Sequence, residues 1–294
     1  MILSSYRRYQ IYPIIRSREM AQEKGFKYPV PGPIELKKVS ASVYSVTGGM
    51  GANSYFITGK TGVVVIDAKM TEEHGRAVVE EIKKITALPV TRMIITHSDL
   101  DHVNGLSGFP RGMAVTSSKN TRSEMALEFE KSGLAALIPY LPNDTFDSEK
   151  ELDLDGEKIK LFHVGSAHTG GDTIIFLPDQ RIVFAGDLVT IGRPPLIHVR
   201  KGGSSSGLVK NLEFILKLDC DTILSGHSAP AGKKEVETLM KSVESTRQKV
   251  IALKKQGKSL EQIKKELNVV ELEMPPGRPR FPSLEEVVYG EQIL

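Results

Sequence analysis

The chain has no tryptophan and a single cysteine, Cys220, among 294 residues. One cysteine excludes an intramolecular disulfide framework and every zinc or iron–sulfur site built from several thiolates. Cys220 stands in LDCDTILSG, just before an apolar run, where a cysteine serves as a small core residue. Long apolar runs are also missing: nothing approaches the roughly 20 residues of a membrane span, so no membrane partner is expected. The opening MILSSYRRYQIYPIIRSREMAQEKG has Arg7 and Arg8 with no apolar stretch behind them, since charges recur at Arg16, Arg18 and Glu19. It reads as neither a secretory nor a twin-arginine signal, which makes a cytoplasmic protein the expectation. Nor does either charge dominate. A net +3, from 39 basic and 36 acidic residues, is too weak a field to suggest a nucleic-acid partner.

What the chain does have is a series of short apolar runs rich in β-branched residues and bounded by Gly, Asp and Pro. VSASVYSVTGG and SYFITGKTGVVVID read as paired strands around the turn Gly59–Gly62. RMIITH, MAVTSS, KIKLFHV, DTIIFL, RIVFAGD and DTILSGH read as further strands, apolar enough to be covered on both faces. TEEHGRAVVEEIKKI places Val78, Val79, Ile82 and Ile85 on one helical face behind Thr71 as N-cap. One helix is expected over 119–140 and another in GLVKNLEFILKL. From Lys233 the pattern is helical alone. Gly257 closes the first tail helix, and capping boxes Ser259/Gln262 and Ser283/Glu286 open two more around the proline-rich EMPPGRPRFP. The chain thus divides into an N-terminal extension (1–32), a mixed α/β body (33–231) and a helical tail (232–294). Extension and tail need a surface to lie on, either the body or a second subunit, and a homodimer is expected.

Four of the seven histidines fall in loops or at strand ends beside Gly, Asp or Ser. ITHSDLDHVNG holds His97, Asp99, Asp101 and His102; His168 lies in GSAHTGGD, Asp187 ends RIVFAGD, and His227 ends DTILSGH. Loops at strand ends converge on one edge of a sheet, and imidazole with carboxylate is the donor set of zinc, iron and manganese. His74 reads as a solvated residue of a helix's first turn, and His163 as structural. Arg193, His198, Arg200 and Lys201, in LVTIGRPPLIHVRKGG, could hold a substrate carboxylate or phosphate, or form a solvated charged loop.

These segments resemble the metallo-β-lactamase fold superfamily of metallo-hydrolases. THSDLDHVNG resembles its His-x-His-x-Asp-His motif, GSAHTGGD its third-histidine loop, FAGD its bridging-aspartate strand and LSGHS its final Gly-His. Intervals of 66 residues from His102 to His168, 19 on to Asp187 and 40 on to His227 suit the family. Within it, VTGGMGANSYFITGKTGVVVID followed by a helical tail looks most like the glyoxalase II-like and cyclase-like branch. The resemblance implies a four-layer αββα sandwich, an α/β fold, with a helical extension. It implies two divalent transition metal ions, zinc first and iron or manganese as alternatives. One would sit on His97, residue 99 and His168, the other on Asp101, His102 and His227, with Asp187 bridging. Asp67 would steady ligands from behind, and Asp101 would also accept a proton from the nucleophile. The implied activity is hydrolysis of a small-molecule ester, lactone, thioester or phosphoester. A non-haem iron redox enzyme and a non-catalytic dimeric scaffold are the other readings.

The departure is Asp99, where the family usually has histidine. Aspartate reaches less far and adds a negative charge, which favours harder metals and weakens the site's pull on anions. Asp99→His is therefore expected to raise zinc occupancy.

Overall fold

The computed structural model describes residues 32–269 and 280–291. The N-terminal extension, apart from its last residue, and most of the proline-rich linker lie outside the described residues. The first sheet contains β1 (Glu35–Lys38), β2 (Val43–Thr47), β3 (Ser54–Thr58), β4 (Val63–Ile66), β5 (Val90–Ile94), β6 (Ala114–Ser118) and β7 (Asp144–Phe146), side by side in chain order. β1 to β4 form an antiparallel meander, and β4 to β7 pair in parallel. Parallel neighbours require crossovers. These contain α1 (Glu72–Lys83), then the single turn α2 (Leu100–Val103), then α3 (Lys119–Lys131). The second sheet contains β8 (Glu149–Leu154), β9 (Glu157–Phe162), β10 (Ile174–Leu177), β11 (Ile182–Gly186) and β12 (Thr222–Ser225), in the order β12-β11-β10-β9-β8. Only β11 and β12 pair in parallel there, joined through α4 (Ser205–Lys217).

The fully apolar strands explain the layering. Along β4, Val64 and Ile66 point between the sheets, while Val63 and Val65 point to the opposite face, under Val78 and Ile82 of α1. Along β10, Ile175 and Leu177 face the inter-sheet layer; Ile174 and Phe176 face Leu208, Leu212 and Ile215 of α4. Residues of period two feed both faces at once, so each sheet is covered on both sides. The result is the expected αββα sandwich.

The tail lies on the body. Val236 and Val243 of α5 (Lys233–Lys255) join the core under α4. Val250 and Leu253 pack with Ile263 of α6 (Leu260–Glu266) and Val288 of α7 (Leu284–Glu291). α5 ends as expected at Gly257, whose φ of +83° permits the closing bonds Gly257 N–H to Lys254 O and Lys258 N–H to Leu253 O. Both capping boxes form. No helix among the described residues is long and apolar enough to cross a membrane.

Two local expectations change. The helix expected over 119–140 stops at Lys131; Gly133, at φ +65°, turns the chain into a 3-10 segment, Ala135–Tyr140. Met125, Phe129, Leu137 and Tyr140 enter the core, and Leu127 and Ile138 are exposed. Strands β1, β7 and β8 were not expected, because ELKK and EKELDL alternate charge with half-buried positions at sheet edges and lack an apolar run. Phe184 of β11 lies between the sheets, edge-on to Tyr55 at 5.3 Å. Phe184→Ala should lower the unfolding free energy by about 3–5 kcal/mol, read from urea denaturation.

Candidate metal centre

The site forms where the parallel strands of both sheets end. β5 delivers His97 and Asp99 in its following loop, and α2 carries Asp101 and His102. Asp187 directly follows β11, β12 leads to His227, and His168 comes from the loop between β9 and β10. Carboxyl ends of parallel strands are the usual ligand edge of an α/β sheet, and here the ends of both sheets meet.

All seven predicted residues are brought together. Asp99 Oδ2 lies 3.1 Å from His168 Nε2 and 3.7 Å from His97 Nε2. His227 Nε2 lies 3.0 Å from Asp101 Oδ2 and 3.4 Å from Asp187 Oδ2, and His102 Nε2 lies 3.4 Å from Asp187 Oδ1. His97, His168 and Asp187 offer atoms within 4.8 Å of one another; so do Asp101, His102 and His227. Asp187 thus touches both groups.

The imidazoles are oriented from behind. His102 Nδ1 donates to Asp67 Oδ2 at 2.7 Å, and His168 Nδ1 donates to the Leu196 carbonyl at 2.7 Å. Thr96 gives its hydroxyl proton to Asp67 and so can accept from His97 Nδ1 at 3.0 Å. Each bond turns Nε2 towards the centre. Asp67 takes a left-handed backbone, φ +60°, to reach this position, as its steadying role implies. Gly226 is sterically required: a Cβ there would lie 2.2 Å from Asp187 Oδ1 and 2.7 Å from the His102 ring.

The donors fit a cation. His97 Nε2, His102 Nε2 and Asp187 Oδ1 are buried with no hydrogen-bond partner. Each such orphan costs about 1–3 kcal/mol. Burial alone would raise the Asp187 carboxyl, but His102 and His227 outweigh it and hold the group well below the usual carboxylate range. Burial would lower the His168 imidazolium, yet its bond to Asp99 and the other nearby carboxylates push it up to about 9.

The family profile described as the metallo-beta-lactamase superfamily matches residues 47–227, a span that holds every one of these donors. The chain belongs to this superfamily. It is similar to the 2,4-dinitroanisole O-demethylase subunit alpha of Nocardioides sp. (strain JS1661), 25% identical over 217 residues, covering 71% of this chain and 63% of that protein. It is also similar to a linear primary-alkylsulfatase of Pseudomonas sp. (strain ATCC 19151), 21% identical, covering 61% of this chain and 42% of that protein. It therefore spans about half the length of these relatives. A solved stereoselective inverting sec-alkylsulfatase from Pseudomonas sp. superposes with TM-score 0.72 at 17% identity, over 88% of this chain and 50% of that one, and so shares the fold.

Against the superfamily pattern, the structure adds partners that the sequence reading did not connect. Asp99 Oδ1 accepts from Lys201 Nζ at 2.8 Å and lies 3.2 Å from His198 Nδ1. The loop after β11 was read as gripping a substrate anion or lying solvated; Lys201 and His198 instead grip the protein's own carboxylate, while Arg193 and Arg200 are exposed. The one available signal was a lysine in that loop coinciding with an extra aspartate in the motif. Ser98 Oγ donates to Glu124 of α3 at 2.6 Å, and burial pushes that carboxyl up to about 7. From the tail, Phe281 stacks on the His198 ring with centroids 4.7 Å apart. His74 is half-buried against Thr71, and His163 contacts the Asp172 carbonyl, so neither enters the centre.

His168 is protonated at neutral pH in the metal-free protein, because its value is raised to about 9. A bound metal requires that nitrogen deprotonated. Zinc uptake at pH 7 should therefore release protons, and apparent affinity should rise with pH until about 9. Calorimetry in buffers of different ionisation enthalpy reads both; pH-independent affinity would contradict the assignment.

Proposed function

We propose that the chain is a binuclear metallo-hydrolase. In this reading His97, Asp99 and His168 hold one ion, Asp101, His102 and His227 hold the other, and Asp187 serves both. The supporting observation is the Asp187 carboxylate, which faces both donor groups beside buried imidazole nitrogens that have no hydrogen-bond partner among the described residues. Zinc suits the imidazoles, and the harder Asp99 oxygen suits iron or manganese.

Bound divalent ions would supply an activated water and polarise the oxygen of the scissile group. The protein's own residues do the rest. His97, His102 and His168 form the buried floor of the site. The Asp101 and His227 side chains, 31% and 22% exposed, mark the open side, where substrate enters. Asp101 there is placed to accept the proton of the attacking water. The substrate is a small ester, lactone, thioester or phosphoester, and the alkylsulfatase relatives add sulfate esters to that range. The carboxylate in the first donor group favours one further reading, a non-haem iron enzyme that consumes oxygen.

Elemental analysis of protein purified without chelator or affinity metal should find two equivalents per chain. Asp187→Asn should lose most of that metal and reduce turnover of 4-nitrophenyl acetate, phosphate or sulfate about a hundredfold or more. One equivalent or none after reconstitution would overturn the binuclear reading. Iron together with oxygen uptake would move the assignment to redox chemistry.

A further inference from the structure

The Asp99 carboxylate is shared between two environments. Oδ2 belongs to the first donor group, 3.1 Å from His168 Nε2. Oδ1 turns away, to the Lys201 ammonium at 2.8 Å, with His198 Nδ1 at 3.2 Å from the same oxygen. That lysine is drawn inward: its side chain is 18% exposed against 10% for Asp99, and Nζ also donates to the Ser98 carbonyl at 3.1 Å. Two charges buried to this degree are tolerated because they face each other, and His168 at 3.1 Å and His198 at 3.2 Å add to the hold on Asp99.

Charge counting gives the pair a meaning beyond local packing. With histidine at position 99, the two donor groups would hold two carboxylates, Asp101 and Asp187. Asp99 adds a third, and the Lys201 ammonium cancels it. The charge offered to bound cations is then the same as with the usual imidazole.

We propose that Asp99 and Lys201 together replace the histidine customary at this ligand position, with Asp99 supplying the donor atom and Lys201 acting as the positioning residue that holds it and restores the centre's charge. The proposal rests on the metallo-hydrolase reading above. It narrows the substrate too. A loaded centre keeps the positive character that an extra carboxylate alone would remove, and so retains its attraction for an anionic group such as a phosphate or sulfate ester. It also reverses the sign expected from the sequence for Asp99→His. Histidine there would leave the Lys201 ammonium beside two cations with its carboxylate gone, and metal binding would weaken.

The test is a double-mutant cycle on the full chain: Asp99→His, Lys201→Met and the two combined, with Lys201→Arg as the conservative variant. Urea unfolding of the metal-free proteins comes first. Lys201→Met should lower the midpoint when residue 99 is Asp and leave it unchanged when residue 99 is His. A lysine that merely anchors its loop would lower both alike, and that result would overturn the proposal. Zinc affinity by chelator competition is second. Asp99→His should bind about tenfold or more weakly, and the double variant should return to within about threefold of the parent. Lys201→Met should bind zinc at least as tightly as the parent, while inorganic phosphate, read by the cobalt(II) absorption of the loaded site, binds about tenfold more weakly. Lys201→Arg should behave as the parent in all three. Asp99→His binding zinc as tightly as the parent would also overturn the proposal. If no chain, the parent included, took up metal, the hydrolase reading itself would fall; metal uptake with additive single effects would sink the Asp99–Lys201 pairing alone.

Discussion

Everything at this site depends on a cluster of buried imidazoles and carboxylates held at close range, with Asp187 in the middle. Its two oxygens face His102 and His227 at 3.4 Å each, and neither histidine comes from its own strand. An isolated charge at that depth would be far too costly to keep ionised. It is kept ionised because the surrounding donors carry, or can acquire, positive charge. The sandwich allows this by ending parallel strands of both sheets at the same edge. β5 and its loop bring His97 and Asp99, and β11 and β12 bring Asp187 and His227. Neither sheet alone carries a complete donor set.

That edge is rigid because the strands behind it are buried on both faces. β4, β10 and β11 are apolar at every position, and their alternate residues lock into a helix layer on one side and the inter-sheet core on the other. Small shifts of a strand end are thereby resisted by two packed layers. The polar supports then refine the aim. Asp67 accepts a left-handed backbone so that it can hold both Thr96 and His102. Gly226 gives up its side chain so that the Asp187 oxygen can approach the His102 ring.

The buried strands and the polar residues that end them were legible in the sequence for one physical reason, whereas the layering and the grouping of the seven residues were implied by the family resemblance. A buried strand must be continuously apolar, and a ligand at its end must be polar, so each junction such as IITH, FAGD or LSGH marks itself. Edge strands obey no such rule, and β8, with EKELDL, escaped notice. Lys201 and His198 escaped for a related reason. They lie in a loop whose charged residues Arg193, Arg200 and Lys201 look alike in sequence, and only the path of the chain shows which one turns inward. The partner of Asp99 is a tertiary fact, carried by residues 102 positions apart.

The tail bears on that partner from two directions. Phe281 stacks on His198, close to Lys201 in the same loop, and Glu291 of α7 accepts the Ser205 backbone N–H at 2.6 Å, at the start of α4. Arg247 of α5 contacts the same glutamate at 3.2 Å and so ties it to the long tail helix. The loop that delivers Lys201 to Asp99 is therefore braced at His198 and again at Ser205. Loops at such positions are ordinarily the more mobile part of a scaffold. An ammonium held within 2.8 Å of the Asp99 carboxylate cannot tolerate that mobility without losing the pair. The Asp99–Lys201 contact needs a fixed loop, and the tail contacts it at His198 through Phe281 and just beyond it at Ser205 through Glu291.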